Sequence, residues 1–264
     1  MACTVTILGN NSALPANNRH PSAQVFAINR QQLFLIDCGE GTQMQLQRYK
    51  IKPSKIHAIF ISHLHGDHYY GLLPLLDSFY LMGRKKPLHL YGPPQLQEVM
   101  ALQHKITGYS DYGFPLYFHP IDAQNSTVIF ENKAITVRTL VLKHGIACTG
   151  FLFQTKQKDR GMIAEMIERY NIDYLKIPAI KKGADFITAD GQVIKNEVLT
   201  NPAPNLVSYA YCSDTAYNEA VLPYLNGVDV LYHEATYLND MAELAAERGH
   251  ATALQAATIA KKAK

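Results

Sequence analysis

Short apolar runs separated by glycine-rich turns make up the first half of the chain. Alternating apolar and polar positions over about 4–8 residues are typical of strands, whereas apolar positions three and four apart are typical of helices. On this pattern strands are predicted at 3–9, 22–28, 31–39, 57–63 and 87–93, and helices at 71–83 and 94–106.

The second half continues the mixture after a charged interruption. Strands mixed with helices predict an α/β fold in which two sheets are sandwiched between helices in one domain. The predicted parts are several strands over 128–155, a charged surface insertion with a short helix at 156–200, a strand at 206–214, a helix near 216–225, a strand at 229–237 and two helices that meet near Gly249.

Composition narrows the class of protein. Hydrophobic residues make up 47% and charged residues 18% of the 264 residues, which fits a soluble globular protein and excludes a disordered one. The formal net charge of +3 provides no overall basic field. A polyanionic partner would therefore have to be held by a local patch and by the site itself.

The cysteines and the N-terminus bear on the compartment. Cys3, Cys38, Cys148 and Cys212 lie far apart and form no C-x-x-C pair. This spacing argues against a thiolate zinc site and a disulfide scaffold, and it fits a reducing compartment. The sequence shows no signal segment at its start and no apolar run approaching the roughly 18 residues of a membrane span. A cytoplasmic protein is therefore predicted.

The stretch ISHLHGDHYYGLLPLL places three histidines and an aspartate where one apolar run ends and the next begins. His63 follows a predicted strand directly, and His65 can point the same way in an extended loop. Gly66 permits a tight turn, after which Asp67 and His68 open the predicted helix. His-x-His offers two imidazoles to one metal, and Asp-His offers a carboxylate and an imidazole to a second. Such donors without thiolate suit zinc or manganese in an open catalytic site.

Polar residues also close three later strands of the prediction. These residues are His144, Asp214, and His233 with Glu234. Each alone also fits a capping aspartate or a buried histidine bonded to the backbone. Because all of them repeat the ending of the His63 strand, the pattern favours one shared cleft.

H-x-H-x-D-H followed by a separate histidine and a separate aspartate resembles the metallo-β-lactamase superfamily. Finer features are similar to the ribonuclease Z family, endonucleases that trim the 3′ end of precursor transfer RNA. They are FLIDCGEGTQ, IKPSKIHAIFISHLHGDHYYGL, KHGIACTGF, CSDT, HEATY and GHATALQAA. The resemblance implies an αββα sandwich of two mixed sheets between helices. It would span 1–264 as a single domain with a surface arm at about 156–185.

The resemblance also implies a pair of zinc ions, with manganese as a possible replacement. Asp37 would hydrogen-bond to the ligand histidines without contacting the metal itself. Two such ions lower the pKa of a water between them and clamp both oxygens of a displacement at phosphorus. The implied ligands are His63, His65 and His144 for one ion, Asp67 and His68 for the other, and Asp214 between the two.

Roles in proton transfer follow from the same resemblance. Asp67 would orient or deprotonate the attacking water. His250 would be the general acid that protonates the departing 3′ oxygen, and Glu234 would hold its ring in the right tautomer. The products would be a transfer RNA with a 3′ hydroxyl and a trailer with a 5′ phosphate.

Three departures from the family pattern qualify these expectations. The family has a seventh ligand, a histidine in a strand after the last helix, and this chain stops at Lys264 before it. The domain is therefore expected to be C-terminally incomplete, with a weak or empty second metal position. The loop PANNRH keeps Arg19 but has Asn17 and His20 in place of a lysine and an asparagine, which bears on the reading of a 3′ CCA end. The arm stretch NIDYLKIPAIKKG has lysines but no Gly-Pro motif.

The expected partners are precursor transfer RNA and, by the resemblance, a second copy of the chain in a homodimer. Lys176, Lys181 and Lys182 in the arm favour RNA, because extra phosphates need extra cations. The same lysines also fit a solvated surface segment. One alternative is another hydrolase on the same fold, acting on a small phosphodiester, a thioester or a lactone. Another is a metal-deficient RNA-binding protein, which would have no need of His250 and Glu234.

Overall fold

The computed structural model of the chain describes residues 2–13, 16, 18–108 and 111–264. The strands are β1 (Cys3–Gly9), β2 (Ala23–Ile28), β3 (Gln32–Ile36), β4 (Ile56–Phe60), β5 (Leu88–Gly92), β6 (Leu116–Pro120), β7 (Val128–Glu131), β8 (Ile135–Val141), β9 (Thr149–Thr155), β10 (Gly161–Met162), β11 (Phe186–Ile187), β12 (Val193–Ile194), β13 (Thr200–Asn201), β14 (Ser208–Cys212) and β15 (Val230–His233). The helices are α1 (Thr42–Arg48), α2 (Gly66–Tyr69), α3 (Leu72–Leu81), α4 (Leu96–Thr107), α5 (Ala164–Arg169), α6 (Ile177–Lys181), α7 (Asn196–Leu199), α8 (Leu222–Leu225), α9 (Ala242–Glu247) and α10 (Ala253–Lys262). Among the helices of these described ranges, none is both long enough and apolar enough to cross a bilayer.

The first sheet has the strand order β1-β2-β3-β4-β5-β6. β1, β2 and β3 pair antiparallel, whereas β3, β4, β5 and β6 pair in parallel. Every residue of β2 and all but the first residue of β3 are buried. Near-continuous burial requires cover on both faces, so these strands lie inside the fold.

The second sheet has the strand order β15-β14-β9-β8-β7. β14 and β15 pair in parallel, with Cys212 opposite His233. Because aligned parallel strands end at the same edge of a sheet, the residues that follow them, Asp214 and Glu234, leave the sheet side by side.

Aromatic rings fill the space between the two sheets. The ring centroid of Phe26 lies 5.1 Å from that of Phe153, and that of Phe60 lies 5.4 Å from that of Phe151. The outer face of the first sheet is covered by apolar residues of α1, α3 and α4, and that of the second sheet by α8 and α10. This arrangement confirms the predicted α/β sandwich of two sheets between helices.

The described chain divides into two compact units. The first comprises the residues up to Phe130 together with Val137–Phe153 and Ser208–Lys264. The second comprises Glu131–Thr136 and Gln154–Val207. The predicted surface arm at about 156–185 falls inside the second unit, and the single-domain organisation stays a prediction.

The second unit has a small apolar core of its own and more secondary structure than the predicted short helix. Its helices are α5, α6 and α7, and its strand pairs are β10 with β13 and β11 with β12. Pro178 lies in the first turn of α6, where a missing N–H is tolerated. Strands of two residues are too short to produce an alternating pattern, so the sequence did not reveal them. The core consists of Ile172, Ile180, Ile194 and Leu199.

Other differences from the predicted elements lie in the first unit. The predictions omitted α1, whose buried positions are only Thr42, Gln45 and Leu46, and β6, which ends at a proline. The helix was missed because its sequence is largely polar, and the strand was missed because none of its residues is buried and it shows no clear apolar alternation. The helix predicted near 216–225 is shorter than expected, since a 3-10 turn at Glu219–Val221 precedes α8. The two helices predicted to meet near Gly249 are α9 and α10.

Candidate active site

The ends of several strands in the first unit bring four predicted metal ligands together. His63, His65, His144 and Asp214 each place a nitrogen or oxygen within 4.8 Å of those of the other three. His65 Nδ1 lies 3.2 Å from His63 Nε2 and 3.0 Å from His144 Nε2. His63 is fully buried, whereas His65 is exposed, so the group opens to solvent on one side. This His/Asp group could hold a metal ion.

Asp214 also faces the two remaining residues that were predicted as ligands. His68 Nε2 lies 3.5 Å from Asp214 Oδ2 and 3.5 Å from Asp67 Oδ2. The same Asp214 oxygen lies 3.7 Å from His63 Nε2 and 3.8 Å from His144 Nε2. One carboxylate oxygen therefore stands between the two groups of side chains.

In His144 and His68, a hydrogen bond to Nδ1 determines that the other ring nitrogen, Nε2, faces the His/Asp group. His144 Nδ1 lies 2.8 Å from the carbonyl oxygen of Gly249, which can only accept, so this nitrogen carries the proton. Gly249 has a φ of +70°, and a Cβ there would lie 3.1 Å from His144 Nδ1, so glycine permits the close approach. His68 Nδ1 donates in the same way to Asp37 Oδ2 at 2.7 Å. In its neutral form each ring therefore presents the lone pair of Nε2 to the centre of the site, as metal binding requires.

Asp37 organises the buried side of the site. Its carboxylate accepts from the backbone N–H of Ser62 at 2.8 Å, from Ser62 Oγ at 3.0 Å and from Tyr211 Oη at 2.6 Å. Since the Ser62 hydroxyl proton goes to Asp37, Ser62 Oγ accepts from His63 Nδ1 at 3.0 Å. The Nε2 lone pair of His63 thus also faces the ligand group. Asp37 is fully buried and has a φ of 55°, a left-handed conformation that aspartate tolerates better than most residues.

The protonation states of His63 and His65 agree with these orientations, whereas His68 holds an extra proton on Nε2 that it would lose on binding an ion. Burial lowers the pKa of His63 to about 2, and burial together with His144 lowers the pKa of His65. Burial opposes the charge on His68, but Asp37 and Asp214 raise its pKa well above the ordinary value. Burial also opposes the charge on Asp214, yet its hydrogen bond and attraction to His68 bring its pKa below the usual range. Two neutral imidazoles next to an ionised carboxylate are a donor set that favours a divalent cation.

A second pair of groups, His250 and Glu234, lies beside Asp214. The three side chains each place a possible ligand atom within 4.8 Å of the others. His250 Nδ1 lies 2.9 Å from Glu234 Oε1, and this hydrogen bond raises the pKa of His250. Glu234 is buried and also accepts from the backbone N–H groups of Thr215, Thr236 and Ala251 at 3.0, 2.9 and 3.1 Å. Its carboxylate is therefore held rigidly, and so is the ring bonded to it.

Several of these side chains line one open cleft of about 760 Å³, whereas His63, His144 and Asp37 are not among the residues of its described wall. Asp67, Asp214, Glu234 and His250 all contribute to its wall. Two arginines also line the described part of the cleft: Arg19, which the sequence singled out, and Arg248, which it did not. Of the other two loop positions on which the CCA expectation depends, Asn17 lies outside the described residues, and His20 is described but is not among the residues that line the cleft.

Some predicted residues are not part of this cleft. His233 closes β15 as predicted, but its Nδ1 lies 2.7 Å from the carbonyl oxygen of Glu234, and the ring is not among the residues that line the described part of the cleft. Lys176, Lys181 and Lys182 lie in or beside α6 of the second unit. Lys181 lines a shallow pocket of that unit together with Lys158 and Arg160.

Sequence reasoning missed two residues of the site. Arg248 stands two positions before His250, and this proximity was the available signal. Tyr211 bonds to Asp37 across 174 positions of sequence. No local pattern could have linked these two residues, because their contact depends on how the two sheets face each other.

Comparisons with known proteins agree with this geometry. Residues 3–196 match the family model described as anti-Pycsar protein Apyc1. A ribonuclease Z of Bacteroides thetaiotaomicron is 42% identical over 254 residues, which cover 96% of this chain and 80% of the relative.

Solved structures also match over almost the whole chain. The short form of human tRNase Z has a TM-score of 0.72 at 26% identity, covering 98% of this chain and 88% of that one. The metallo-β-lactamase fold protein YhfI from Bacillus subtilis has a TM-score of 0.65 at 19% identity, covering 99% and 83%. By these matches the chain has the metallo-β-lactamase fold and belongs to the ribonuclease Z family, within the group of proteins that the Apyc1 family model also covers.

Proposed function

We propose that the protein is a zinc-dependent endoribonuclease that cleaves the 3′ trailer from precursor transfer RNA. The reaction leaves a 3′ hydroxyl on the transfer RNA and a 5′ phosphate on the trailer. The observation that carries the proposal is the juxtaposition, in one cleft, of the His/Asp group with the His250–Glu234 pair. A binding protein would not need a proton donor opposite its metal ligands.

Zinc is the ion that we propose for the His/Asp group, with manganese as the second choice. Three imidazoles and a carboxylate without thiolate match zinc sites of the catalytic kind. His63, His65, His144 and Asp214 would hold one ion, and Asp67, His68 and Asp214 would hold the other. When bound, such ions act as Lewis acids on water and on phosphate oxygens.

The side chains of the cleft divide the proton transfers between them. Asp67 is partly exposed in the cleft, so we assign its carboxylate to orienting the attacking water and accepting its proton. His250 donates a proton to the departing 3′ oxygen through Nε2, because Nδ1 is held by Glu234. Its raised pKa increases the fraction of His250 that is in the donor form at a given pH. Glu234 positions the ring and does not touch the substrate.

Cations in both units would hold the RNA. Arg19 and Arg248 are exposed and line the cleft, where guanidinium groups can bind phosphates on either side of the cleaved bond. In the second unit Lys176 and Lys182 are exposed and Lys181 is partly exposed, so all three can reach the backbone of a large substrate. Phosphate contacts of this kind add affinity without reading sequence.

We extend the proposal to a homodimer, as the family resemblance implies. Met44 on α1, Leu81 on α3 and Met82 after it are more than half exposed, at 64%, 81% and 60%. Apolar side chains of this size favour a surface that a second copy covers. Sedimentation equilibrium would show a dimer, and replacing Leu81 and Met82 by glutamine would shift it toward monomer.

The cytoplasm is the compartment we propose, because all four cysteines are free.

A cleavage assay on precursor transfer RNA tests the function. The zinc-loaded protein should release the trailer as a single fragment with a 5′ phosphate, and His65→Ala should abolish release. His57→Ala is the matched control, since His57 is an exposed histidine at the other end of β4. Hydrolysis of a small phosphodiester, thioester or lactone without cleavage of the RNA would indicate a different hydrolase. RNA binding without any cleavage would indicate a binding protein.

A further inference from the structure

Two histidines outside the cleft face each other across neighbouring strands of the first sheet. His89 lies in β5 and His119 in β6, which pair in parallel with His89 opposite Tyr117 and Tyr91 opposite His119. His89 and His119 are therefore diagonal neighbours on the same face of the sheet. Neither residue lines the described part of the catalytic cleft.

The ring nitrogens of this pair have the spacing of two ligands of one metal. His89 Nδ1 lies 3.0 Å from His119 Nε2, and the corresponding distances in the His/Asp group are 3.0 and 3.2 Å. Bonds of 2.0–2.1 Å to a tetrahedral zinc place two nitrogens roughly 3.3 Å apart, which these side chains reach with a small rotation.

Stacking holds the two rings in this arrangement. The His119 ring lies on Tyr91 with a centroid distance of 4.4 Å and an angle of 11°, and Tyr91 lies on the buried Phe60 at 4.9 Å and 16°. The His89 ring lies next to Tyr117, with a centroid distance of 5.3 Å and an angle of 31° between the ring planes. Ligands that are fixed before the ion arrives lose less freedom on binding, so stacking favours metal binding.

Both rings are available to a ligand. Each is only partly buried, and within the part of the chain that the structure describes neither ring makes another hydrogen bond. In contrast, His63, His68, His144 and His250 are each anchored by a protein oxygen. Burial, together with His57, lowers the pKa of His89, and burial together with His89 lowers that of His119. The neutral imidazole that binds metals is therefore the prevailing form of both.

We propose that His89 and His119 form a second metal site, which takes a borderline divalent ion such as Zn²⁺, Ni²⁺ or Cu²⁺. His89 Nδ1 and His119 Nε2 are its protein ligands, and water completes the coordination shell. Imidazole nitrogens select this class of ion over Mg²⁺ and Ca²⁺, which prefer oxygen. Because β6 is the edge strand of its sheet, a bound ion ties that edge to β5 and stabilises the folded state.

Nickel is the probe that tests this site, because elemental analysis counts it separately from zinc. The zinc-loaded protein is dialysed against Ni²⁺, and the wild type is expected to hold one nickel per chain more than the histidine variants below, with the zinc content unchanged. Nickel that enters the weak second position of the His/Asp group is common to all these proteins and cancels in this difference. Variants His89→Gln and His119→Gln should each lose the nickel. Tyr117→Phe should keep it, since this variant retains the neighbouring ring and removes no nitrogen ligand.

The folded state provides a second readout of the same site. Nickel should raise the midpoint of thermal unfolding of the wild type and of Tyr117→Phe, but not of the two histidine variants. Nickel uptake that is equal in all four proteins, or that displaces zinc, would place the ion elsewhere and overturn the proposal. No uptake by the wild type would leave His89 and His119 as a hydrogen-bonded pair only, and would overturn it as well.

Discussion

His250 shows how one side chain is prepared for a single proton transfer. Its ring is fixed by Glu234, which in turn accepts three backbone N–H groups. A ribose 3′ oxygen is a poor leaving group and needs a proton as it departs, whereas p-nitrophenolate is stable as an anion and hardly needs one. The role of His250 can therefore be distinguished from that of the metal ligands by comparing the two kinds of substrate.

His250→Ala should lower cleavage of precursor transfer RNA by roughly 10²–10⁴-fold, the usual contribution of a positioned acid. Hydrolysis of bis(p-nitrophenyl) phosphate should fall much less, and zinc content should not change. Initial rates on both substrates with elemental analysis provide the measurement. Loss of zinc in this variant would show that His250 is a metal ligand instead of a proton donor. Its position beside Asp214 makes this the main alternative to the proposed role. Equal losses on both substrates with lower stability would indicate a packing role.

Glu234→Gln should move the alkaline limb of kcat/KM for the RNA to lower pH. The hydrogen bond to Glu234 is the first cause of the raised pKa of His250, so removal of the charge lowers that pKa and the donor form is lost earlier. A pH–rate profile of both proteins provides the test.

The same substitution should affect stability with a defined sign. A raised pKa in the folded state stabilises the protein fully below the unfolded pKa of about 6.5, and this contribution disappears as pH rises through the folded pKa. The loss of unfolding free energy in Glu234→Gln should therefore be larger at pH 6 than at pH 9. A pH–rate profile of Glu234→Gln that is not shifted from that of the wild type would contradict the assignment of His250 as the titrating acid.

His63 and His65 should respond differently to truncation, although both are proposed ligands. His65→Ala should abolish zinc-dependent cleavage with little change in stability, because this side chain is exposed. His63→Ala should abolish cleavage and also lower the free energy of unfolding by about 1–3 kcal/mol, because it leaves a cavity in a fully buried place and removes the hydrogen bond between His63 Nδ1 and Ser62 Oγ. Urea unfolding of the metal-free proteins separates the two effects. Equal stabilities would show that His63 has no structural role.

At the scale of elements, α6 of the second unit is the helix whose lysines we expect to contact a large substrate but not a small one. It is a short helix that buries Ile180 in the core of its unit and carries lysines on and next to its exposed side. A small phosphodiester needs only the cleft of the first unit. A transfer RNA offers many more phosphates, and cations outside the cleft can then contribute to binding.

Replacing Lys176, Lys181 and Lys182 by glutamine should weaken binding of precursor transfer RNA and flatten its salt dependence. The log–log slope should change by roughly 0.7–0.9 for each phosphate that the variant no longer neutralises. Binding isotherms at several salt concentrations measure it. Lys85→Gln with Lys86→Gln is the control, since both are exposed lysines of the first unit. Equal losses on bis(p-nitrophenyl) phosphate would mean that the α6 lysines support the fold or the metals instead.

At the scale of the whole molecule, the number of strand ends that meet at the cleft determines how many ions can be held. Side chains that follow β4, β8 and β14 supply four donors to one position. Asp67, His68 and Asp214 supply three to the other, and Asp214 is shared. Tetrahedral zinc is satisfied by four donors, so the two positions differ in affinity.

The chain should therefore bind one zinc tightly and a second one weakly or not at all. Competition with a chelator of known affinity, followed by elemental analysis, measures both dissociation constants. Asp67→Asn should weaken the second ion and leave the first unchanged, whereas His144→Ala should do the reverse. Two zinc ions held with equal strength would contradict the ligand count.

The sequence alone determined those features that depend on residues close together in the chain. Most strands and helices of the first unit, though not α1 or β6, and the cluster from His63 to His68 could be predicted, because periodicity and short spacing act within a few residues. The family followed from motifs of the same kind, each of them continuous in the chain. The pairing of Glu234 with His250 was expected only through the resemblance, and the hydrogen bond of 2.9 Å supports it.

The tertiary structure decided everything that depends on how distant segments meet. It joined Tyr211 to Asp37, His144 to the carbonyl of Gly249, and His89 to His119, none of which any spacing in the sequence indicates. It also placed Arg248 in the cleft and gave the charged segment after β9 a core of its own. The physical reason is that such contacts arise from strand register and sheet packing, which are set by the burial of the whole core rather than by any local run of residues.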